Sequence, residues 1–419
     1  MRSIKQSLLQ ANTIVAFGLI PLSGFAMDIF IPSLPEMAVS LHTTPAAIQL
    51  TLSLFIISYG ISQLVVGGLL DSFGRYRPSL LAMLVFSIAS FIIAYSSQLQ
   101  VIYAMRVLQG FTVAVIVVGK RSFFVDMYSG EQLKKYTSLF SVIWAIGPIV
   151  APFLGGFLQT AWGWKSNFSF LGYFGLVFFV IELAIGGESI KRVQSFSVQN
   201  IISTYGKMLK TPDFASGLVI LGLAYAMILL YGMASPFLIE QRLHLSAAVT
   251  GYCSLFSGIA VLAGGTFSRI LIKKPLIKKL VMASVIQLVA VVSLITLSFS
   301  MQNLVTLLLF VFLLHSTSGF IFNNLMSYCL IRFPEYAGKA AGLVGGGFSV
   351  VTSILTSLLV NTISINNQTV LGIGYAVLAL LIFMFITKTK WIAGSHQQPT
   401  NQVLKPVTSV VPATSGVVS

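Results

Sequence analysis

The sequence predicts an all-α integral membrane protein with twelve transmembrane helices in two pseudo-symmetric six-helix bundles. Three observations predict it. The 419 residues are 56% hydrophobic and 8% charged, against about 25% charged in an ordinary soluble domain. The apolar residues fall into runs of membrane-spanning length. The 25 Lys and Arg, set against 10 Asp and Glu for a net charge of +15, collect in alternate gaps between those runs.

A helix needs about 20 predominantly apolar residues to cross the hydrocarbon core. Runs of that kind lie near 12–38, 48–70, 79–97, 100–122, 136–158 and 166–186. Six more lie near 213–236, 246–272, 279–299, 302–331, 339–362 and 369–388. They divide the chain into an N-terminal segment 1–11, a first bundle 12–186, a polar central loop 187–212, a second bundle 213–388 and a tail 389–419. The tail is rich in Gln, Pro, Thr, Ser and Val and reads as disordered. The first run continues past Gly24-Phe25-Ala26 into an acidic segment, so it reads as a retained helix and not a cleaved signal.

With an even number of spans, both termini share one face. All the cations lie on that face except Lys165 and Arg242, on the opposite face, and Arg106, inside a run. An excess of Lys and Arg marks the cytoplasmic side. Both termini are therefore expected in the cytoplasm, in a bacterial inner membrane, and the basic charge is a topology signal and not a nucleic-acid footprint. Cys253 and Cys329 stand apart in separate runs, and His42, His244, His315 and His396 are scattered. This spacing offers no metal cluster and no nucleophile–base pair. Neither an enzyme, a metal nor a cofactor is expected.

The stretch PLSGFAMDIFIPSLPE, 21–36, sets an acid, Asp28, inside the first run among three prolines. An ionisable group in a membrane costs at least a few kcal/mol and is a functional candidate by default. Arg106 lies six residues inside its run, about 9 Å deep, and Asp28 ten residues inside its own, about 15 Å deep. Those depths allow contact or one bridging water. Asp28 is either a structural partner of Arg106 or a proton and cation site, and a carboxylate that trades Arg106 for a proton is both. His315, near mid-membrane, is a satisfied core histidine or a proton relay. Gln109 shares the Arg106 face and is a candidate to line a cavity. Asn323, Asn324 and Phe25 are candidates to line a cavity. Glu182 is expected to snorkel to water or to lie in the lateral interface, and Glu240 to be exposed at the outer end.

Further motifs carry specific chemistry. In GGLLDSFGRYRP, 67–78, Gly67 permits close helix approach and Gly74 a tight turn. Asp71 and Arg75 are four apart, so one helical turn lets them pair. In GPIVAPFLGG, 147–156, Pro148 and Pro152 each remove a backbone donor. Gly147, Ala151, Gly155 and Gly156 there give a small-residue packing face.

Two six-helix halves joined by a basic loop, bearing these motifs, resemble the major facilitator superfamily. Residues 67–78 resemble its loop motif, with Ser72 and Tyr76 where basic residues are usual. The resemblance implies that this loop, joined by Asp126 of KRSFFVDMY, latches the two halves on the cytoplasmic side. RVLQG, 106–110, resembles the fourth-helix motif, and 147–156 the motif associated with exporters. DIFIPSLP resembles the D-x-Y-L-P-x-x-P signature of the bicyclomycin-resistance-like (Bcr/CflA) drug:proton antiporters, with Phe30 in place of tyrosine. WGWKSNFSF, SPFLIEQRLHLS and AGKAAGL also look like that branch, so the resemblance runs from about residue 12 to 388. It implies an alternating-access antiporter that exchanges protons for small amphipathic organic compounds or drugs. Its partners would be that small-molecule substrate, protons and the lipid bilayer, with the monomer as the functional unit. Export of an endogenous metabolite such as a siderophore, import, and a non-transporting sensor or scaffold are other uses of the same fold.

Overall fold

The computed structural model describes residues 4–190, 197–363 and 365–391. Arg2, Lys191, Arg192, His396, Lys405 and the expected tail beyond Trp391 lie outside the described residues. The chain forms fifteen α-helices, with no strand among the described residues. The first half holds α1 (Leu9–Leu19), α2 (Leu22–Asp28), α3 (Leu34–Ser40), α4 (Pro45–Phe73), α5 (Tyr76–Tyr95), α6 (Leu99–Met127), α7 (Gly130–Trp162) and α8 (Lys165–Ile185). After α9 (Val198–Leu209) come α10 (Pro212–Pro236), α11 (Ala247–Ile270), α12 (Leu276–Ser298), α13 (Leu304–Ile331), α14 (Ala337–Thr362) and α15 (Gln368–Lys388).

Eleven of the described segments are long and apolar enough to cross a membrane. The expected count of twelve is not reached on that measure. The fifth expected span falls in α7, which at 33 residues is long enough at 1.5 Å per residue. We call the face that carries Ile4 and Trp391 the basic face, and the opposite one the far face.

The first span is three helices and not one. Pro21 stands between α1 and α2, a 3₁₀ turn at Ile31–Ser33 contains Pro32, and Pro35 opens α3. Each proline lacks the N–H that would continue the ladder. Elsewhere spans restart on side-chain caps: Thr44, Ser246, Asn303 and Asn367 each accept an N–H of their own first turn. The central segment, expected as a polar loop, contains the amphipathic helix α9. Its apolar residues Ile201, Tyr205 and Met208 recur at helical spacing.

The halves meet along two seams, α4 with α14 and α7 with α11. Glycine brings backbone to backbone there. A Cβ on Gly346 would lie 2.5 Å from the Gly60 carbonyl, and one on Gly251 would lie 3.0 Å from that of Pro152. In the far half of the membrane, side chains also reach from one half to the other. Gln49 Nε2 donates to the Met233 carbonyl at 2.7 Å, and Ser353 Oγ to the Ser53 carbonyl at 2.8 Å.

The small residues of 147–156 serve two neighbours. Gly147 and Pro148 press on Gly24 of α2, Gly155 on Ile29, and Gly156 on Ala247 of the second half. The exporter-like motif thus clasps the broken first span on one side and the partner bundle on the other. A Cβ on Gly155 would stand 1.6 Å from the Ile29 carbonyl, a clash that backbone must relieve. Gly155→Ala should therefore destabilise the purified protein by about 1–3 kcal/mol or more. Gly67→Ala, with nothing within 4 Å of the added carbon, should leave it unchanged. Thermal unfolding followed by tryptophan fluorescence distinguishes the two.

Candidate functional site

Arg106 sits in α6 with no exposed surface. Its Nη1 donates to the Ala26 carbonyl at 2.9 Å and to Gln109 Oε1 at 2.7 Å; its Nε donates to the Thr51 carbonyl at 3.3 Å. The guanidinium carbon lies 4.6 Å from the centre of the Phe30 ring and 4.4 Å from that of Phe55. Two aromatic faces and two backbone carbonyls thus solvate a cation that water cannot reach. The α-helix of the first span stops at Asp28, so Arg106 supplies a donor to Ala26 where the helical ladder gives out. The ring at position 30 needs only its face for this, which a phenylalanine provides as well as the tyrosine of the Bcr/CflA signature.

Asp28 does not touch Arg106. No ion pair joins them among the described residues, and the carboxylate feels the guanidinium through space. Of the two expected arrangements, direct contact is not made: Asp28 lines a cavity of about 50 Å³ between the halves. Ile31, Pro148 and Pro152 line that cavity from the first half, and Tyr225, Tyr231, Ser254 and Ser257 from the second. Three polar atoms at its wall have no protein partner: Asp28 Oδ2, the Tyr231 hydroxyl and Ser254 Oγ. The space is large enough for water and too small for an organic molecule.

His315 is fully buried one residue behind this wall. Its Nδ1 is 2.7 Å from Ser257 Oγ and its Nε2 is 3.2 Å from the Tyr375 hydroxyl. With both ring nitrogens bonded, it is a satisfied core histidine that orients Ser257.

None of the four expected cavity residues lines either cavity described here. Phe25 stacks on Phe174 with ring centres 6.1 Å apart. Gln109 bridges Arg106 to Ser90 Oγ, 2.7 Å away. Asn323 donates to the Gly265 carbonyl. Asn324 accepts from the buried Lys279 at 2.7 Å. All four tie helices together. Depth along a run locates such residues, but helix rotation decides what they face.

At the basic face the expected Asp71–Arg75 pair forms, whereas Gly67, expected at a close helix approach, has nothing within 4 Å of an added Cβ. Arg75 pairs with Asp71 at 3.0 Å and with Asp126 at 2.7 Å. Ser189 also donates to Asp126. All these residues belong to the first half or to the segment directly following α8, so in this state the cluster ties α4, α5 and α6 and does not latch the halves. The expected reading missed Glu188, whose carboxylate accepts the backbone N–H groups of Arg75, Tyr76, Ser189 and Ile190. It caps the first turn of α5, where a negative charge is favoured. Gly74 makes room for it: φ there is 88°, and a Cβ would stand 2.6 Å from Glu188 Oε2. Glu182 does not snorkel; it is buried and paired with Lys120. Glu240 is half-buried and accepts from Thr250. In the second half, Arg332 donates to Asp213 at 2.8 Å, joined by the Tyr328 hydroxyl. The sequence offers no local signal for the contacts of Glu188 with Arg75 and Tyr76 or of Asp213 with Tyr328 and Arg332, because those partners lie more than 100 positions away.

A second cavity, of about 870 Å³, opens on the basic face between Gln63–Arg75 of the first half and Glu335–Gly342 of the second. The halves are therefore closed toward the far face and parted toward the basic one. Two packed bundles, a buried carboxylate between them and an opening on one side define a secondary transporter of the alternating-access kind.

Comparison with known proteins gives the family. The profile of the Major Facilitator Superfamily matches residues 16–356, and the chain belongs to that superfamily. It is 28% identical over 87% of its length to the MFS-type transporter YdgK of Bacillus subtilis, covering 92% of that protein. It is 27% identical, with the same shares covered, to multidrug resistance protein D of Escherichia coli. A shorter match, 32% over 38% of this chain and 42% of the relative, is to a bicyclomycin resistance protein homolog of Haemophilus influenzae. Among solved structures, a D-xylose–proton symporter aligns over 91% of this chain and 99% of its own, with TM-score 0.67 at 14% identity. The human organic anion transporter MFSD10 aligns over 90% and 99%, with TM-score 0.64 at 15%. These two likenesses are of fold.

The cage around Arg106 yields a test. A lysine keeps the charge but loses the planar fork and both ring contacts. Arg106→Lys should lower stability by roughly 2–4 kcal/mol, read as a fall in the unfolding temperature of the detergent-purified protein.

Proposed function

We propose that the protein is a proton-coupled efflux transporter that expels small amphipathic organic compounds across the bacterial inner membrane. The observation that carries this reading is the Asp28 carboxylate, 5% exposed, with an unpartnered oxygen facing a cavity whose opposite wall is the other half. In this reading the acid holds a proton while the halves are packed around it. Rocking of the halves that opens the cavity admits water and releases the proton, or lets an organic cation replace it. One carboxylate serving both ligands in turn makes their movements opposite.

The basic face is the cytoplasmic one in this reading, following the distribution of Lys and Arg. The parted cavity then faces the compartment from which substrate is collected. Each proton returning inward supplies about 2.3 kcal/mol per 100 mV of membrane potential. The relatives named for multidrug and bicyclomycin resistance support drug-like cargo, and the clasp of 147–156 on the first span supports the antiport direction. The monomer contains both halves and is the proposed working unit. His315 positions Ser257 in this reading.

Asp28→Asn keeps the shape and removes the titration. In proteoliposomes with an imposed pH gradient, the variant should insert normally and lose more than nine-tenths of gradient-driven substrate export. Export that still responds to the gradient in Asp28→Asn would reject Asp28 as the coupling site.

A further inference from the structure

The helix between the halves is placed where it can control the opening. α4 and α14 run against each other in one register, from Ser53 and Ser353 through Gly60 and Gly346. Continued toward the basic face, that register would set Gly67 and Gly68 against Lys339 and Gly338. The helices part instead, and the 870 Å³ cavity lies between them. Gly67 and Gly338, on opposite walls, have nothing within 4 Å of where a Cβ would be. Bare backbone facing empty space on both walls suits surfaces that meet in another state.

Tyr205 of α9 stands at the point of divergence. Its hydroxyl donates to the Leu64 carbonyl of α4 at 2.9 Å. A Cβ on Gly342 of α14 would meet the same hydroxyl at 3.2 Å and the Gln63 carbonyl of α4 at 3.3 Å, so the two helices still touch at this level. α9 is held to the second half as well, because Lys339 Nζ donates to Asn200 Oδ1 at 2.9 Å and to Thr204 Oγ1 at 3.0 Å. The helix therefore straddles the seam, with one hold on each half. Burial pushes the Tyr205 phenol up to about 12, so it stays a donor across the working range of pH.

We propose that Tyr205 is a positioning residue for the transport cycle: its hydroxyl chocks α4 and α14 apart at the basic face, and that face closes only when α9 withdraws it. The proposal takes its consequence from the transport reading above, but its test needs neither substrate nor a proton gradient.

The test is a distance measurement on the full-length protein in lipid nanodiscs. Spin labels at Phe73→Cys and Glu335→Cys sit on exposed positions either side of the opening, while the native Cys253 and Cys329 are buried. Tyr205→Phe removes one hydroxyl and keeps the ring. Pulsed electron paramagnetic resonance should then show the ratio of long to short distances falling about fivefold, the worth of one hydrogen bond. Lys339→Met, which frees α9 from the other side, should shift the ratio the same way. An unchanged or longer distribution in Tyr205→Phe overturns the proposal. Should that variant fail to fold, Lys339→Met carries the decision by the same criterion. Loss of transport in Asp28→Asn with an unmoved distance ratio would leave this proposal and the coupling reading separately judged.

Discussion

A guanidinium without exposed surface is the constraint on which the first half is built. Arg106 carries a guanidinium charge, and where it sits it cannot reach water. Something must solvate it. The first span contributes the Ala26 carbonyl and the Phe30 ring, and α4 contributes the Thr51 carbonyl and the Phe55 ring. An unbroken helix would spend the Ala26 carbonyl on its own ladder. The break between Asp28 and Pro32 is thus the counterpart of the buried cation: one frees an acceptor, and the other occupies it. Asp28 stands two residues beyond Ala26, so any movement of Arg106 pulls on the backbone that carries the acid. Coupling between the two charges runs through that short length of chain as well as through space.

Most of this architecture was legible in the sequence, because lipid imposes it locally. Apolar runs, cations in alternate gaps and prolines around Asp28 are each read within about 20 residues. The Asp71–Arg75 pair was legible for the same reason, being one helical turn apart. The clasp of Gly147, Gly155 and Gly156 followed from residue size alone, although its two partners, Gly24–Ile29 and Ala247, did not.

The rest depends on helix rotation and on contacts between distant parts of the chain. Depth placed Asp28 and Arg106 within reach of each other, but rotation turned the acid toward Tyr225 and Tyr231 and the base toward Phe30 and Phe55. Gln109, Asn323 and Asn324 were correctly placed inside the bundle and wrongly aimed. Polar side chains in a membrane bond to adjacent helices as readily as they face a cavity. The Tyr225–Tyr231–Ser254–Ser257 wall escaped notice because none of its residues is charged. Glu182 and Glu240 were judged by distance from a run's end, which says nothing of a lysine or a threonine on the next helix.

The distribution of strong and weak bonds fits the motion expected of the fold. The ion pairs found among the described residues each lie within one half: Arg75 with Asp71 and Asp126, Lys120 with Glu182, and Arg332 with Asp213. Charge-assisted bonds at partly buried sites are costly to break, so each bundle moves as a body. Across the seams the contacts are glycine backbones and neutral donors such as Gln49, Ser353 and Tyr205. A neutral hydrogen bond contributes about 1 kcal/mol, and a few of them can be exchanged against the energy of a single proton. Had the loop motif paired across the halves in this state, the basic face would be held shut by charge. With Glu188 and Asp126 engaging Arg75 inside the first half, the opening is left to weaker contacts.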